Sequence, residues 1–321
     1  MKAIVIPAFG GLDALQLQEI PTPAPGPGET LVRLAAIGVN YRDVYERIGR
    51  YGGTPPLTAG AEGAGTVESV GEGVHDLRAG DRVAFTNIHG AYAEYIVAPA
   101  DRLIPLPNDI SFETGAAFPL QGMTAHYLVH EYYDVTPGTN VLVHAGAGGM
   151  GLLLIQLLKA KNARVITTTS TDEKATIARR AGADDVILYT KTNFAESVMS
   201  LTNGVGADLV LDGVGKTTFP GSLEAVRTRG TVVLFGSASG PADPFGPNSL
   251  QARSLTVAGG TLLNFIATRE ELLRRATDIL NLVRSGKLTL KIDRTLPLAE
   301  AREAHKLLES RATSGKLLLL P

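Results

Sequence analysis

Val141-Leu142-Val143-His144-Ala145-Gly146-Ala147-Gly148-Gly149-Met150-Gly151, running on into Leu152-Leu153-Leu154-Ile155-Gln156-Leu157-Leu158-Lys159, decides how this chain folds. The first four residues read as a buried strand and the last eight as an apolar helix. Between them every position is small except Met150. A strand that turns sharply into a helix through small residues is the phosphate-binding turn of a dinucleotide fold. Ala145 stands in the first glycine's place, Gly148 lets backbone approach a pyrophosphate, and Gly151 lets the helix pack closely on the strand. The free N–H groups and dipole of the helix start then favour an anion there. A small-residue turn without ligand is the competing reading, and the flanking strand–helix–strand pattern argues against it.

The next strand, Arg164–Thr168, ends in hydroxyls, Thr167-Thr168-Thr169-Ser170-Thr171, with Lys174 one helical turn later. A site for the unphosphorylated cofactor usually places Asp or Glu here to accept from the ribose hydroxyls. Hydroxyl donors and an ammonium suit a 2′-phosphate, so Thr169, Ser170 and Lys174 point to NADPH. Asp172 reads as the cap of the following helix rather than a ribose ligand. Tyr189, after the third strand, flanks the same phosphate or stacks near adenine. A solvated helix lysine and an edge aromatic are the plainer accounts of Lys174 and Tyr189.

Working outward, strands and helices alternate from about Asn140, with further strands at Asp185–Leu188, Leu209–Asp212, Thr231–Phe235 and Leu255–Gly259. Such alternation predicts a doubly wound parallel sheet covered on both faces. Gly215, Phe235-Gly236-Ser237-Ala238 and Gly260-Thr261-Leu262 each follow a strand at the edge where ligands of such sheets gather. Before Asn140 the chain is punctuated by Pro and Gly, and its short β-branched runs (Ala3–Ile6, Thr30–Ala36, Gly65–Val70) predict a mostly antiparallel region. After Gly259 come helical patterns at Arg269–Ser285 and Leu298–Ser310, then the apolar run Leu317–Leu320, which is expected to rejoin the N-terminal sheet. The expected division is a catalytic domain over 1–124, a nucleotide-binding domain over 125–265, and a segment 266–321 that completes the first.

The 321 residues are 44% apolar and 19% charged, with a net charge of −2. That balance suits a globular protein and offers no bulk attraction to nucleic acid or an anionic membrane. There is no cysteine, which excludes disulfides, thiol nucleophiles and thiolate metal sites. No leader and no apolar run of spanning length is visible, so the default expectation is a cytoplasmic protein with small-molecule partners.

With these elements placed, the chain resembles the medium-chain dehydrogenase/reductase superfamily, and within it the zinc-free, ζ-crystallin-like quinone oxidoreductase branch. The resemblance covers essentially the whole length. It is carried by Ile37–Tyr51 (IGVNYRDVYERIGRY), Ala79–Val83 (AGDRV), Gln121–Ala125 (QGMTA), the glycine turn and Glu309–Lys316 (ESRATSGK). It implies a Rossmann α/β domain joined to a GroES-like, mostly antiparallel β domain. Alcohol dehydrogenases of this superfamily place a zinc cysteine within the stretch that is Gly38–Asp43 here and a zinc histidine in Gly-His-Glu. This chain has no cysteine and reads Gly60-Ala61-Glu62. Catalytic zinc needs three protein ligands, and His126 and His130, four apart on a helix, are more simply packing; zinc is rejected.

Hydride donation to an electron-poor acceptor needs no Lewis acid, whereas alcohol oxidation does. The resemblance therefore implies NADPH-dependent reduction of a quinone. Reduction of an α,β-unsaturated carbonyl or enoyl thioester is the alternative, and a non-catalytic structural or RNA-binding role the alternative of another class. It further implies that Asn40, Tyr45, Tyr51 and Thr124 are catalytic, the first two and Thr124 also touching the nicotinamide. Ala147, Gly148, Gly149, Met150 and Gly151 would carry the pyrophosphate. Arg311 and Lys316 are read as phosphate contacts or as solvated surface charge, Asp43 as a cleft residue or a helix cap. A homodimer through the edge strand Leu255–Gly259 is also implied.

Overall fold

The computed structural model describes residues 1–310 and 312–321. The chain forms two compact units: residues 1–122, 266–284 and 290–321, and residues 123–265 with 285–289.

In the first unit β1 (Lys2–Ile6), β2 (Gln16–Glu19), β3 (Glu29–Val39) and helix α1 (Tyr41–Arg47) come first, then β4 (Leu57–Thr58), β5 (Glu62–Val70), β6 (Arg82–Thr86), β7 (Tyr95–Pro99) and β8 (Ile104–Pro105). Helices α2 (Phe112–Ala117) and α3 (Pro119–His130) follow. β3 is the longest strand and the hub, pairing antiparallel with both β5 and β7. Its Val32 and Leu34, and Ile37 beyond a register shift at Leu34–Ala36, enter the core with Ile4, Ile6, Val67, Val83, Phe85 and Ile96. Glycine is required at Gly60, whose backbone lies at φ +86° and where a Cβ would meet the Tyr92 ring at 2.1 Å.

The second unit begins within α3 and adds β9 (Asn140–Val143), α4 (Gly149–Ala160), β10 (Arg164–Thr169), α5 (Asp172–Arg180), β11 (Asp185–Leu188), α6 (Phe194–Leu201), β12 (Ala207–Asp212), α7 (Phe219–Ala225), β13 (Val226–Leu234), β14 (Thr256–Gly259) and α8 (Leu262–Phe265). Its six strands are parallel in the order β11-β10-β9-β12-β13-β14. The order reverses direction beside β9, so the crevice at the carboxyl end of β9 is the place where such sheets receive ligands. Val141, Leu142 and Val143 are wholly buried, as a central parallel strand covered on both faces must be. Among the described residues no helix is long and apolar enough to cross a membrane.

The chain then returns to the first unit through α9 (Arg269–Arg284), β15 (Ile292–Pro297), α10 (Ala301–Glu309) and β16 (Lys316–Leu320). β16 pairs antiparallel with β3, Leu318 opposite Gly38, and Leu317, Leu318 and Leu319 are buried. The apolar C-terminal run thus lies inside that sheet, between β15 and β3. One helix expectation changes: Leu298–Ser310 is a short 3-10 turn (Leu298–Glu300) leading into α10.

Candidate nucleotide and reduction sites

The glycine turn leaves β9 with Ala145 in the left-handed region at φ +56°. Gly148 is the N-cap of α4 and offers no side chain to the first-turn N–H groups, and no acidic residue lies in that turn. Those N–H groups therefore stay available to an anion. A Cβ on Gly151 would meet Ala145 O at 2.3 Å and Gly146 Cα at 2.7 Å, so turn and helix approach to a distance only glycine permits. Ala147 is buried behind the turn, while Gly148, Gly149 and Met150 are partly open. This cradle fits a dinucleotide pyrophosphate.

Beside it, Thr169 ends β10 with a buried hydroxyl that has no hydrogen-bond partner among the described residues, and Ser170 follows. The helix cap differs from expectation. Thr171, not Asp172, is the N-cap of α5, its Oγ1 accepting from the Lys174 backbone N–H at 3.3 Å. The β-region backbone that a cap needs falls one residue earlier. Asp172 instead pairs with Lys191 at 3.0 Å. Tyr189 follows β11 and its backbone N–H donates to Thr169 O at 3.2 Å. The ends of β10 and β11 thus bring Thr169, Ser170, Lys174 and Tyr189 to one edge. Lys191 joins them; sequence reasoning missed it because its strand-loop position carries no motif.

Gly215 follows β12 at φ +87°. The buried Asp212 Oδ1 accepts from Val214 N–H at 2.9 Å, Gly215 N–H at 3.0 Å and Thr218 Oγ1 at 2.8 Å. The loop Phe235-Gly236-Ser237-Ala238 packs on this turn, with Ala238 N–H donating to Gly213 O at 3.3 Å. Gly260, Thr261 and Leu262 leave β14; Tyr127 Oη donates to Gly260 O at 3.3 Å. Every nucleotide-binding candidate from Ala147 to Leu262 therefore lies at a carboxyl end of the parallel sheet. Thr124 is buried on α3. Arg311 lies outside the described residues.

In the first unit, Asn40 precedes α1, and its side chain is engaged on both sides. Lys316 Nζ donates to its Oδ1 at 2.6 Å, and its Nδ2 donates to Glu62 Oε2 at 2.7 Å. Lys316 also reaches Glu62 Oε2 at 2.6 Å, while Leu120 N–H donates to Glu62 Oε1 at 2.6 Å. Lys316 and Glu62 side chains are 3% and 0% exposed, so Lys316 is neither surface charge nor a free phosphate contact. Its ammonium balances the glutamate that survives from Gly60-Ala61-Glu62. Sequence reasoning could not pair them across 254 residues.

Tyr45 and Tyr51 stand edge to face at 5.9 Å, with Arg50 4.5 Å over the Tyr45 ring and Arg42 5.8 Å over the Tyr51 ring. Tyr51 is 56% exposed. Next to them, burial pushes the Asp43 carboxyl up to about 7, against the opposing influence of Arg42. Asp43 Oδ2 accepts from Asn40 N–H at 2.9 Å and Tyr92 Oη at 3.0 Å, which makes Asp43 a helix-start partner. Tyr92 Oη also meets His305 Nε2 at 3.1 Å. Arg47, bidentate to Glu309 at 2.9 Å, donates to His305 Nδ1 at 3.1 Å. Burial, and then Arg47, lower the His305 imidazole to about 3. His126 and His130 stack at 4.3 Å, and among the described residues no three metal-ligating side chains converge.

A GroES-like β unit and a Rossmann unit whose strand ends carry a dinucleotide cradle together define a nicotinamide-nucleotide oxidoreductase class. The family profile described as alcohol dehydrogenase GroES-like domain matches residues 26–108, and that described as zinc-binding dehydrogenase matches residues 149–278. A quinone oxidoreductase of Pseudomonas aeruginosa is 41% identical over 323 residues, covering 100% of this chain and 99% of the relative. A 2-haloacrylate reductase of a Burkholderia species is 40% identical over 330 residues, with 100% and 99% covered. The Escherichia coli quinone oxidoreductase, solved in complex with NADPH, superposes with a TM-score of 0.98 at 38% identity, covering 100% of each chain. The chain belongs to the quinone oxidoreductase branch of the medium-chain dehydrogenase/reductase superfamily.

Proposed function

We propose that this chain is a zinc-independent NADPH:quinone oxidoreductase. The observation that carries the reading is the uncapped start of α4 at the switch point of the parallel sheet, beside a hydroxyl-rich strand end that is followed by Lys174 in the first turn of α5. Ala147, Gly148, Gly149, Met150 and Gly151 would hold the pyrophosphate, and Thr169, Ser170, Lys174 and Tyr189 the 2′-phosphate and adenosine end. Gly215, Phe235, Gly236, Ser237, Ala238, Gly260, Thr261 and Leu262 would line the nicotinamide end, with Arg311 a further phosphate contact. When bound, NADPH supplies the hydride; a proton from solvent or a side chain completes the hydroquinone.

The chain's own residues orient the acceptor. Tyr45 and Tyr51 present phenols that can donate to a quinone carbonyl as negative charge develops on it, and the guanidinium groups over their rings favour that charge. Asn40 and Thr124 complete the proposed catalytic set. Since Lys316 and Glu62 hold both ends of the Asn40 amide, we assign Asn40 the placing of α1 as well as any cofactor contact. Residues 1–124 with 266–321 serve as the catalytic domain and 125–265 as the NADPH domain. A cytoplasmic location and a homodimer through β14 are part of the same proposal; the place of β14 at the end of its sheet's strand order supports the dimer.

A second reading, reduction of an activated alkene, is favoured by the relative named 2-haloacrylate reductase. Oxidation of NADPH, followed by its absorbance against one panel of quinones and another of enones and enoyl thioesters, separates the two. Faster turnover with the quinones is the expected result; turnover with the enones alone establishes the second reading. NADPH binding without turnover of either panel overturns both.

A further inference from the structure

The second unit contains a line of buried side chains that joins the pyrophosphate turn to the turn after β12. Ala145 N–H lies 3.2 Å from Thr168 Oγ1, Thr168 Oγ1 lies 3.1 Å from His144 Nδ1, and His144 Nε2 lies 3.0 Å from Ser222 Oγ. Ser222 Oγ donates to Asp212 Oδ2 at 2.9 Å. His144, Thr168, Ser222 and Asp212 are all buried, and the edge of the His144 ring environment is closed by Phe194 at 4.8 Å.

Donor arithmetic gives this line one direction. A carboxylate accepts only, so the single Ser222 proton is committed to Asp212. Towards His144 the serine must accept, which places the ring proton on Nε2. Burial lowers the imidazole's proton affinity, against the pull of Asp212, the charged group that faces it. The ring is therefore neutral, its Nδ1 accepts, and Thr168 donates to it. That leaves the Thr168 oxygen to accept from Ala145 N–H. Thr168 O also accepts from Gly146 N–H at 3.0 Å. The other Asp212 oxygen holds the Val214 and Gly215 N–H groups.

We propose that His144, locked as the Nε2–H tautomer by Ser222 and Asp212, is a positioning residue that fixes the strained turn at Ala145 for pyrophosphate binding and ties it to the Gly215 turn. It touches no substrate. Ala145 is a non-glycine residue in the left-handed region, where a side chain is disfavoured, and the Thr168 bond opposes its relaxation. The same line would make the two strand ends one preorganised surface, so that a cofactor meets both ends already in place. The proposal rests on reading the turn as the NADPH cradle.

The test measures NADPH affinity, kcat and KM for the intact wild-type chain, Thr168→Val, Thr168→Ser and Ser222→Ala, with thermal denaturation as a folding control. Thr168→Val keeps shape and removes the hydroxyl; it is expected to weaken NADPH about tenfold, the scale of one lost hydrogen bond. Its kcat at saturating NADPH should stay within about twofold, and Thr168→Ser should restore affinity. Ser222→Ala should weaken NADPH by a smaller factor, because the His144 proton is then free to move to Nδ1, where the ring no longer accepts from Thr168. Wild-type affinity in both Thr168→Val and Ser222→Ala overturns the inference. Independently of any variant, imidazole nitrogen shifts of the wild type are expected to show the Nε2–H form, and an Nδ1–H or doubly protonated ring at neutral pH overturns it. Failure of the wild type to bind NADPH would overturn the cofactor reading itself, which the variant series alone leaves standing.

Discussion

The two units bury polar groups in opposite ways. In the second, Asp212, Ser222, His144 and Thr168 form a line in which each donor has an acceptor and only Asp212 carries charge. In the first, whole charges are enclosed: Lys316 with Glu62, both buried, and Arg47, buried against a partly exposed Glu309. Buried oxygens there, among them Asp43 Oδ1 and Glu46 Oε2, have no hydrogen-bond partner among the described residues. A line whose donors are all satisfied, with its single charge at the Asp212 end, holds a backbone in one conformation. Enclosed charges stabilise only while both partners are present, since each is costly alone. The first unit should therefore be the more sensitive to single substitutions and to pH, and the second to changes that alter ligand affinity with little change in stability.

That contrast is most directly broken at Lys316. Lys316→Met leaves Glu62 charged and buried, and a loss of about 3–5 kcal/mol is expected, read from urea midpoints. Adding Glu62→Gln should recover most of it. If the single variant is as stable as wild type, the first unit does not depend on its enclosed charge. Next in size is Lys174→Ala in the second unit, where unfolding midpoints should hardly move. NADPH affinity should fall about tenfold or more, as for a charge-assisted phosphate contact, while NADH affinity stays. Unchanged NADPH affinity removes Lys174 from the phosphate site.

The smallest effect is the pH dependence of the first unit, at most about 1.4 kcal/mol for each pH unit and group. The His305 imidazole falls from 6.5 to about 3 on folding. The unfolded chain therefore binds its proton first, and stability present above pH 6.5 is lost as pH falls towards 3. Asp43 rises from 3.8 to about 7, so its contribution is complete below pH 3.8 and is lost as pH rises through 7. Between about pH 4 and 6.5 the two oppose each other. Asp43→Asn should expose the loss from His305 as a steeper fall in urea midpoint with acid; an unaltered slope would show that the Asp43 carboxyl does not titrate in that range.

Much of the fold could be read along the chain because its signals are local. Small residues at Ala145, Gly148 and Gly151 between an apolar strand and an apolar helix define the turn within eleven positions. Alternating periodicity locates the strands of the parallel sheet, and Leu317–Leu320 declares itself as a strand lacking a local partner. Some boundaries moved by a residue or two, but β3 runs on to Val39, β5 starts at Glu62 and β13 starts at Val226, three to five residues beyond the expected ends. The cap of α5 proved to be Thr171, where neighbouring Thr and Asp offer equal capping chemistry and only backbone geometry separates them.

By itself, then, the sequence determined the two-unit plan, the place of the candidate nucleotide turn, and the lack of cysteine and of the zinc histidine at Ala61. Tertiary structure alone decided which polar residues meet. Lys316 and Glu62 are 254 positions apart, and His144 and Ser222 are 78 apart. No local pattern encodes such pairs: burial drives polar groups to find partners wherever the topology brings strand ends and helices together. The residue types make the chemistry available, and the packing chooses the partners.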